Sequence, residues 1–173
     1  MGERAQLEEI QTLWAASPVP IYATLGNHEI GGDDDTAWRD VFGRHGFHFV
    51  FHGVGFIFAD AESASLDPLV YDQLENCLHD DRAHSRIFIS HIPPFDPNGI
   101  RSATFRSRSE AGKLMALLSK KRTGFCLHGH IHTYHLYRQA GILSLLSGGS
   151  SHFTVLDIDP LPGVVTPFPI WIE

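Results

Sequence analysis

The chain has 173 residues, of which 43% are hydrophobic and 19% charged, and this predicts a single globular domain over residues 1–173 with a sizeable core. The formal net charge of -7 argues against binding to a nucleic-acid backbone, because phosphate neutralisation needs a basic face. Cys77 and Cys126 form no CxxC pair, no stretch has the length of an apolar membrane span, and the charged start is unlike a signal peptide. We therefore expect a cytoplasmic protein without a membrane partner.

The first half of the chain alternates predicted helices and strands. Apolar residues at helical spacing mark the helices, and short apolar or aromatic runs between turn residues mark the strands. In order, these are a helix over 3–16, a strand over 21–25, a helix over 35–46, two strands within 47–61 joined at His52 and Gly53, and a helix over 67–81. We expect the first helix to pack on a sheet. The expected N-caps are one of Asp33 to Asp35 for the second helix and Asp67 for the third.

The second half begins with helix and strand and ends in β-structure. A strand over 86–90 stops at two prolines, and a long loop over 95–107 follows. A helix over 108–121 and a buried strand over 124–128 come next. Four further strands with turn residues between them are predicted within 134–141, 142–149, 152–160 and 164–173.

Three of the predicted strands end in polar residues that suit metal binding. These ends read "GNHE" at 26–29, "SHIPP" at 90–94 and "HGHIH" at 128–132. Residues just beyond the carboxyl ends of strands in an α/β sheet converge on one crevice, where ligands usually bind. Imidazole nitrogens, an Asn carbonyl and carboxylates suit a divalent Mn, Fe, Zn, Co or Ni ion. The alternate spacing of His130 and His132 allows one loop to reach two such ions.

In their order and spacing these blocks resemble the calcineurin-like metallophosphoesterase superfamily. The superfamily pattern is D-x-H, GD, GNH[DE], an isolated H and then GHxH, and the last three blocks are present here. The resemblance covers nearly the whole chain. It implies an α/β protein with a four-layer α/β-β/α sandwich and a dinuclear metal centre. It also implies metal-dependent hydrolysis of a phosphomonoester or phosphodiester.

The resemblance also assigns roles to single residues. It implies that Asn27, His91 and His130 bind the second metal ion and that His132 binds the first. It implies that His28 contacts the phosphate and protonates the leaving group, so that Asn27 and His28 would both bind substrate. His128, inside its strand, is expected to support the site or the fold.

The D-x-H and GD blocks, with the bridging aspartate, are absent from the sequence. We therefore expect an N-terminally incomplete sandwich that lacks its first strands, with the two missing blocks encoded upstream of Met1. This chain alone should then hold at most one metal ion and be impaired in hydrolysis. The open sheet edges left by missing strands predict self-association.

Each site residue also has a structural interpretation. His91 could cap a strand, His130 and His132 could be an exposed pair on a turn, Asn27 could occupy a left-handed turn position, and His28 could be a structural histidine. Arg101, Arg106 and Arg108 either line the phosphate site or belong to a solvated loop.

Two other functions remain open at this point. One is a non-catalytic remnant that serves as a partner-binding or scaffold domain. The other is a mononuclear zinc hydrolase that uses His91, His130 and His132 with one open position for water.

Overall fold

The computed structural model describes residues 2–30, 34–99, 104–150, 152–161 and 163–172. Asp33 and Arg101 lie outside these ranges. In the described residues the helices are α1 (Arg4–Ala15), α2 (Thr36–Phe42), α3 (Pro68–Leu78) and α4 (Arg108–Lys120). The strands are β1 (Phe47–Phe51), β2 (Val54–Ala59), β3 (Ser85–Ser90), β4 (Thr123–His128), β5 (Tyr134–Gln139), β6 (Ile142–Ser147), β7 (His152–Asp159) and β8 (Val164–Trp171).

A mostly parallel sheet of six strands forms the centre of the fold. Its strand order is β1-β2-β3-β4-β6-β5. The inner pairs β2–β3, β3–β4 and β4–β6 are parallel, and β1 and β5 add antiparallel edges. Strands β7 and β8 form a separate antiparallel sheet. The predicted α/β class with flanking helices is confirmed.

Both faces of the central sheet are covered, and the middle residues of its inner strands, such as Ile87 to Ile89 of β3 and Phe125 to Leu127 of β4, are apolar on both sides. On one face, Phe88 and Cys126 pack against Leu114 and Leu118 of α4, together with α3. On the other face, Phe125 and its neighbours pack against the inner side of the β7–β8 sheet. The layers are therefore helices, the six-stranded sheet and the two-stranded sheet.

The predicted strand over 21–25 is wrong, because these residues have no strand pairing in the structure. Leu25 is buried, but the ring of Tyr22 is half exposed and lies 4.6 Å from the Phe49 ring, on the surface of the sheet. An apolar run becomes a strand only when a neighbouring strand takes its backbone hydrogen bonds. In the described residues the run has no such neighbour.

The prediction that the first helix packs on a sheet is also wrong. Helix α1 packs against α2, where Leu7, Leu25 and Trp38 form a small separate core. Leu13, on the apolar stripe of α1, is 67% exposed. The predicted helix is therefore correct, but Ile10 and Leu13 of its apolar stripe are exposed to solvent.

Local turn and cap chemistry agrees with the sequence in most places. His52 and Gly53 have φ of 47° and 79°, the left-handed values that a tight hairpin turn requires. Asp67 caps α3 by accepting from the Leu69 N–H at 2.8 Å. Helix α2 has Asp35 at its N-cap position, within the predicted Asp33 to Asp35, and the N–H of its first residue, Thr36, donates to Asp34 Oδ1 at 2.9 Å. In the described ranges no helix is long and apolar enough to cross a bilayer.

Candidate metal centre

Three chain segments bring the predicted site residues to one edge of the sheet. Gly26 to Glu29 form a turn, closed by the Glu29 N–H donating to the Gly26 carbonyl at 3.2 Å, with Asn27 at its tip. His91 directly follows β3, and His130 follows β4. Because β3 and β4 are parallel neighbours, these two residues leave the sheet at the same end. The Gly129 N–H donates to the His91 carbonyl at 3.0 Å and joins the two loops.

Asn27, His91 and His130 form what we call the donor triad. The Oδ1 atom of Asn27 lies 2.9 Å from His91 Nε2 and 2.9 Å from His130 Nδ1. The two ring nitrogens are 3.3 Å apart. The rings are almost perpendicular, at 74°, so that both nitrogens approach the amide oxygen from different directions. Three electron-pair donors from distant parts of the chain therefore converge.

His130 has a backbone conformation that few side chains adopt. Its φ of 63° is in the left-handed region, which costs a non-glycine residue about 1–2 kcal/mol. Two short turns hold it there, with the Ile131 N–H donating to the Gly129 carbonyl at 2.7 Å and the Thr133 N–H to the Ile131 carbonyl at 2.6 Å. Strain of this kind is concentrated at functional sites. Asn27, in contrast, does not have a positive φ, which disfavours its structural interpretation as a left-handed turn residue.

Two glycines make room for the His91 ring. A Cβ atom on Gly26 would overlap the Glu29 carboxylate and lie 3.0 Å from His91 Cε1. A Cβ atom on Gly129 would lie 3.3 Å from His91 Nδ1. Ordinary contacts begin near 3.4 Å. The glycines of the "GNHE" and "GHIH" blocks therefore allow the imidazole to stand where its Nε2 meets Asn27.

The surroundings of His91 keep its imidazole neutral. Burial, followed by the positive charges that His130, His28 and His132 would carry, lowers the pKa of His91 to about 4. At neutral pH the ring therefore has a free electron pair, which is the form that binds a metal ion.

A buried pair behind the triad was missed in the sequence. Ser90 Oγ lies 2.9 Å from His128 Nδ1 and donates its proton to the Ile92 carbonyl at 3.0 Å. Complete burial lowers the pKa of His128 to about 3, so this ring is neutral too. The sequence places Ser90 and His128 at the ends of two predicted strands, and these strands, β3 and β4, pair in register, which brings the two side chains together.

The remaining predicted residues lie around the triad. His28 and His132 are exposed and close enough to His91 to affect its pKa. His132 lies beside Gly149 and is not one of the three residues whose polar atoms meet in the triad. Arg106 and Arg108 are exposed at a cleft lined by Pro94 and other residues of the loop after β3.

The separations between the three donor atoms of the triad fit one divalent ion. Metal–ligand distances near 2.1 Å place neighbouring ligand atoms about 3.0–3.5 Å apart in octahedral or tetrahedral geometry. The separations of 2.9, 2.9 and 3.3 Å match one such face. However, these ligands are all neutral, and the described part of the chain has no group of three or more His, Cys, Asp or Glu side chains that could hold a metal ion. The triad therefore fits one ion without offsetting its charge.

A comparison with known protein families matches the part of the chain that contains the donor triad. The model of a family described as calcineurin-like phosphoesterase matches residues 2–134, which include the whole donor triad. The comparison with curated protein sequences gave no significant match.

Among solved structures, the purple acid phosphatase PPD1 from yellow lupin (Lupinus luteus) seeds is similar, with a TM-score of 0.55 and 15% identity over 85% of this chain and 31% of that chain. GAP50, the anchor in the inner membrane complex of Plasmodium, has a TM-score of 0.49 and 16% identity over 82% of this chain and 44% of that chain. The chain thus spans less than half the length of either structure.

Proposed function

The chain belongs to the calcineurin-like phosphoesterase family, and we propose that it takes part in the metal-dependent hydrolysis of a phosphomonoester or phosphodiester. The observation that carries this proposal is the convergence of Asn27 Oδ1, His91 Nε2 and His130 Nδ1 within 3.3 Å of one another. The left-handed backbone of His130, at a φ of 63°, supports it, because strained residues are concentrated at functional sites.

In this proposal Asn27, His91 and His130 hold one divalent Mn, Fe, Zn, Co or Ni ion. A bound ion would supply a Lewis acid for a phosphate oxygen and for a water molecule. His28, exposed at the tip of the turn, is the general acid that gives a ring proton to the departing alkoxide, and with Asn27 it contacts the substrate. His132, outside the triad, is a ligand of a second ion in a dinuclear centre.

We also propose that this chain alone has only low hydrolytic activity. The triad offers no carboxylate, and His132 would be one of several ligands that a second ion needs. We propose that the 173-residue chain holds one ion weakly and turns over phosphate esters slowly. A bridging carboxylate from a longer chain would complete the dinuclear centre.

The neutral character of the triad favours one other candidate, a non-catalytic domain that binds a partner and leaves its histidines without metal. The observation that favours this candidate is that the described residues contain no group of three or more His, Cys, Asp or Glu side chains that could hold a metal ion. The mononuclear zinc hydrolase is less well supported, because the third donor that meets His91 and His130 is Asn27 and not His132.

Turnover of p-nitrophenyl phosphate and of its bis ester, with added Mn, tests the proposal. The 173-residue chain should show slow, chelator-sensitive hydrolysis, and a chain extended by its upstream coding sequence should be much faster. Asn27→Ala should abolish the activity, whereas Gly112→Ala, in open space on α4, should not change it. If neither the 173-residue chain nor the extended chain hydrolyses these esters or takes up metal, the result would instead favour the non-catalytic, partner-binding domain.

A further inference from the structure

A buried polar pair lies at the last residues of β3 and β4. Ser90 and His128 end these strands and are paired in register. Because side chains alternate along a strand, both point to the side of Phe88 and Cys126, which pack against α4. Each member of the pair is only 2% exposed. Polar atoms in such an apolar layer are costly unless they are satisfied, so their place at the end of both strands needs a reason.

The hydroxyl of Ser90 makes two contacts at this point. It lies 2.9 Å from His128 Nδ1, and it donates to the carbonyl of Ile92 at 3.0 Å. The first contact joins the ends of the two strands through their side chains. The second closes the backbone around His91, the residue between Ser90 and Ile92. One hydroxyl therefore acts on the spacing of the two strand ends and on the direction in which His91 leaves its strand.

Buried residues also fix the other side of each proposed ligand residue. Ile92 follows His91 and is 4% exposed, and Ile131 follows His130 and is 2% exposed. Between the two loops the Gly129 N–H donates to the His91 carbonyl at 3.0 Å. Each histidine thus lies between a buried isoleucine and the polar pair, which precedes it in the chain by one or two residues.

We propose that the Ser90–His128 pair is the positioning unit of the metal site and sets the separation between the His91 and His130 ring nitrogens. Both nitrogens lie 2.9 Å from Asn27 Oδ1 and 3.3 Å from each other. A shift of either loop changes the distances between its own nitrogen and the other two atoms. The pair acts on them through the backbone. The inference rests on the proposed function only in taking the two histidines as metal ligands.

A purely structural pair and a positioning pair predict different results for one double replacement. Replacing two hydrogen-bonded partners by apolar groups of similar shape is often nearly neutral for stability. Ser90→Ala with His128→Leu should therefore keep the fold in either case. If the pair positions the loops, the strand ends are released and metal affinity falls about 10–100-fold, the usual effect of losing groups that orient ligands. If the pair is purely structural, metal affinity is unchanged.

Titration of the 173-residue chain with Co(II), followed by visible absorption, measures affinity and coordination geometry together. The double variant should bind about 10–100-fold more weakly and with a changed spectrum, while its thermal unfolding stays close to that of the wild type. Ser144→Ala is the matched control, because this serine is fully buried inside β6, where it pairs with Cys126. The control should bind Co(II) as the wild type does. A folded double variant with wild-type affinity and spectrum would overturn the proposal and leave the proposed function standing.

NMR of the histidine ring nitrogens in the metal-free chain separates the two failures. The His91 and His130 resonances should move in the double variant and stay in place in Ser144→Ala. If the wild type takes up no Co(II) but these resonances move, the ligand roles are wrong and the positioning role stands. Resonances that do not move would show that the pair does not position the rings.

A second comparison applies if the double variant does not fold. Ser90→Ala is then set against Ser90→Thr, which keeps the hydroxyl. The proposal requires that Ser90→Ala alone weakens Co(II) binding or moves the ring resonances and that Ser90→Thr restores them. Equal results for the two variants would refute it.

Discussion

Gly26→Ala should damage the metal site while leaving most of the fold intact. The new Cβ would lie 3.0 Å from Cε1 and 3.1 Å from Nδ1 of His91, where ordinary contacts begin near 3.4 Å. The ring must therefore move by about 0.4 Å, and overpacking of this kind costs about 1–3 kcal/mol. The Glu29 carboxylate, which the Cβ would also overlap, is the end of a flexible side chain and can swing aside.

The movement matters because His91 Nε2 is 2.9 Å from Asn27 Oδ1 and must share an ion with it. Disturbing the groups that orient a metal ligand typically lowers metal affinity about 10–100-fold. Calorimetric titration with Zn or Mn should show this loss, and thermal unfolding followed by circular dichroism should show that the chain still folds.

Gly112→Ala is the control for this experiment. Gly112 lies inside α4 with open space around it, so alanine should raise the free energy of unfolding by about 0.5–1 kcal/mol and leave metal affinity unchanged. A folded Gly26→Ala variant that binds metal as tightly as the wild type would refute the reasoning about the space beside His91.

Three further predictions concern single side chains. His28→Ala in a chain that has detectable activity should keep its metal and lose rate by about 10²–10⁴, with a smaller loss for p-nitrophenyl esters than for alkyl esters; equal losses would mean that His28 orients the phosphate instead. Ser90→Ala removes the hydroxyl that lies 2.9 Å from the buried His128 Nδ1 and should cost about 1–3 kcal/mol in urea unfolding, whereas a neutral effect would show that another group satisfies this ring nitrogen. Asp67→Ala removes the cap of α3 and should cost about 1 kcal/mol by the same measurement, with no effect on metal affinity.

Local patterns were sufficient to predict much of the fold. The family is confirmed by the match over residues 2–134, and the hairpin at His52 and Gly53 and the capped α3 follow from short-range chemistry. The failures at 21–25 and on α1 have a common cause. In both segments the sequence pattern indicates which side is apolar but not which element lies against that side. Whether 21–25 forms a strand, and what α1 packs on, therefore depends on partners elsewhere in the chain.

The candidate site was predicted in part. The residues at the ends of β3 and β4 could be expected to meet, because parallel strands end at one edge, and the family pattern added Asn27. The resemblance already assigned His132 to a different ion from the triad, whereas the left-handed backbone of His130 could not be foreseen, because it depends on the path of the loop after β4. The metal-binding and catalytic roles of these residues stay predictions.

The number of metal ions bound per chain tests the central claim most directly. After dialysis against Mn or Zn, elemental analysis of the 173-residue chain should give one weakly held ion per chain. Single replacements of Asn27, His91 or His130 by Ala should remove it, whereas His132→Ala should retain it. No specific uptake, or uptake that survives all three triad replacements, would contradict the account.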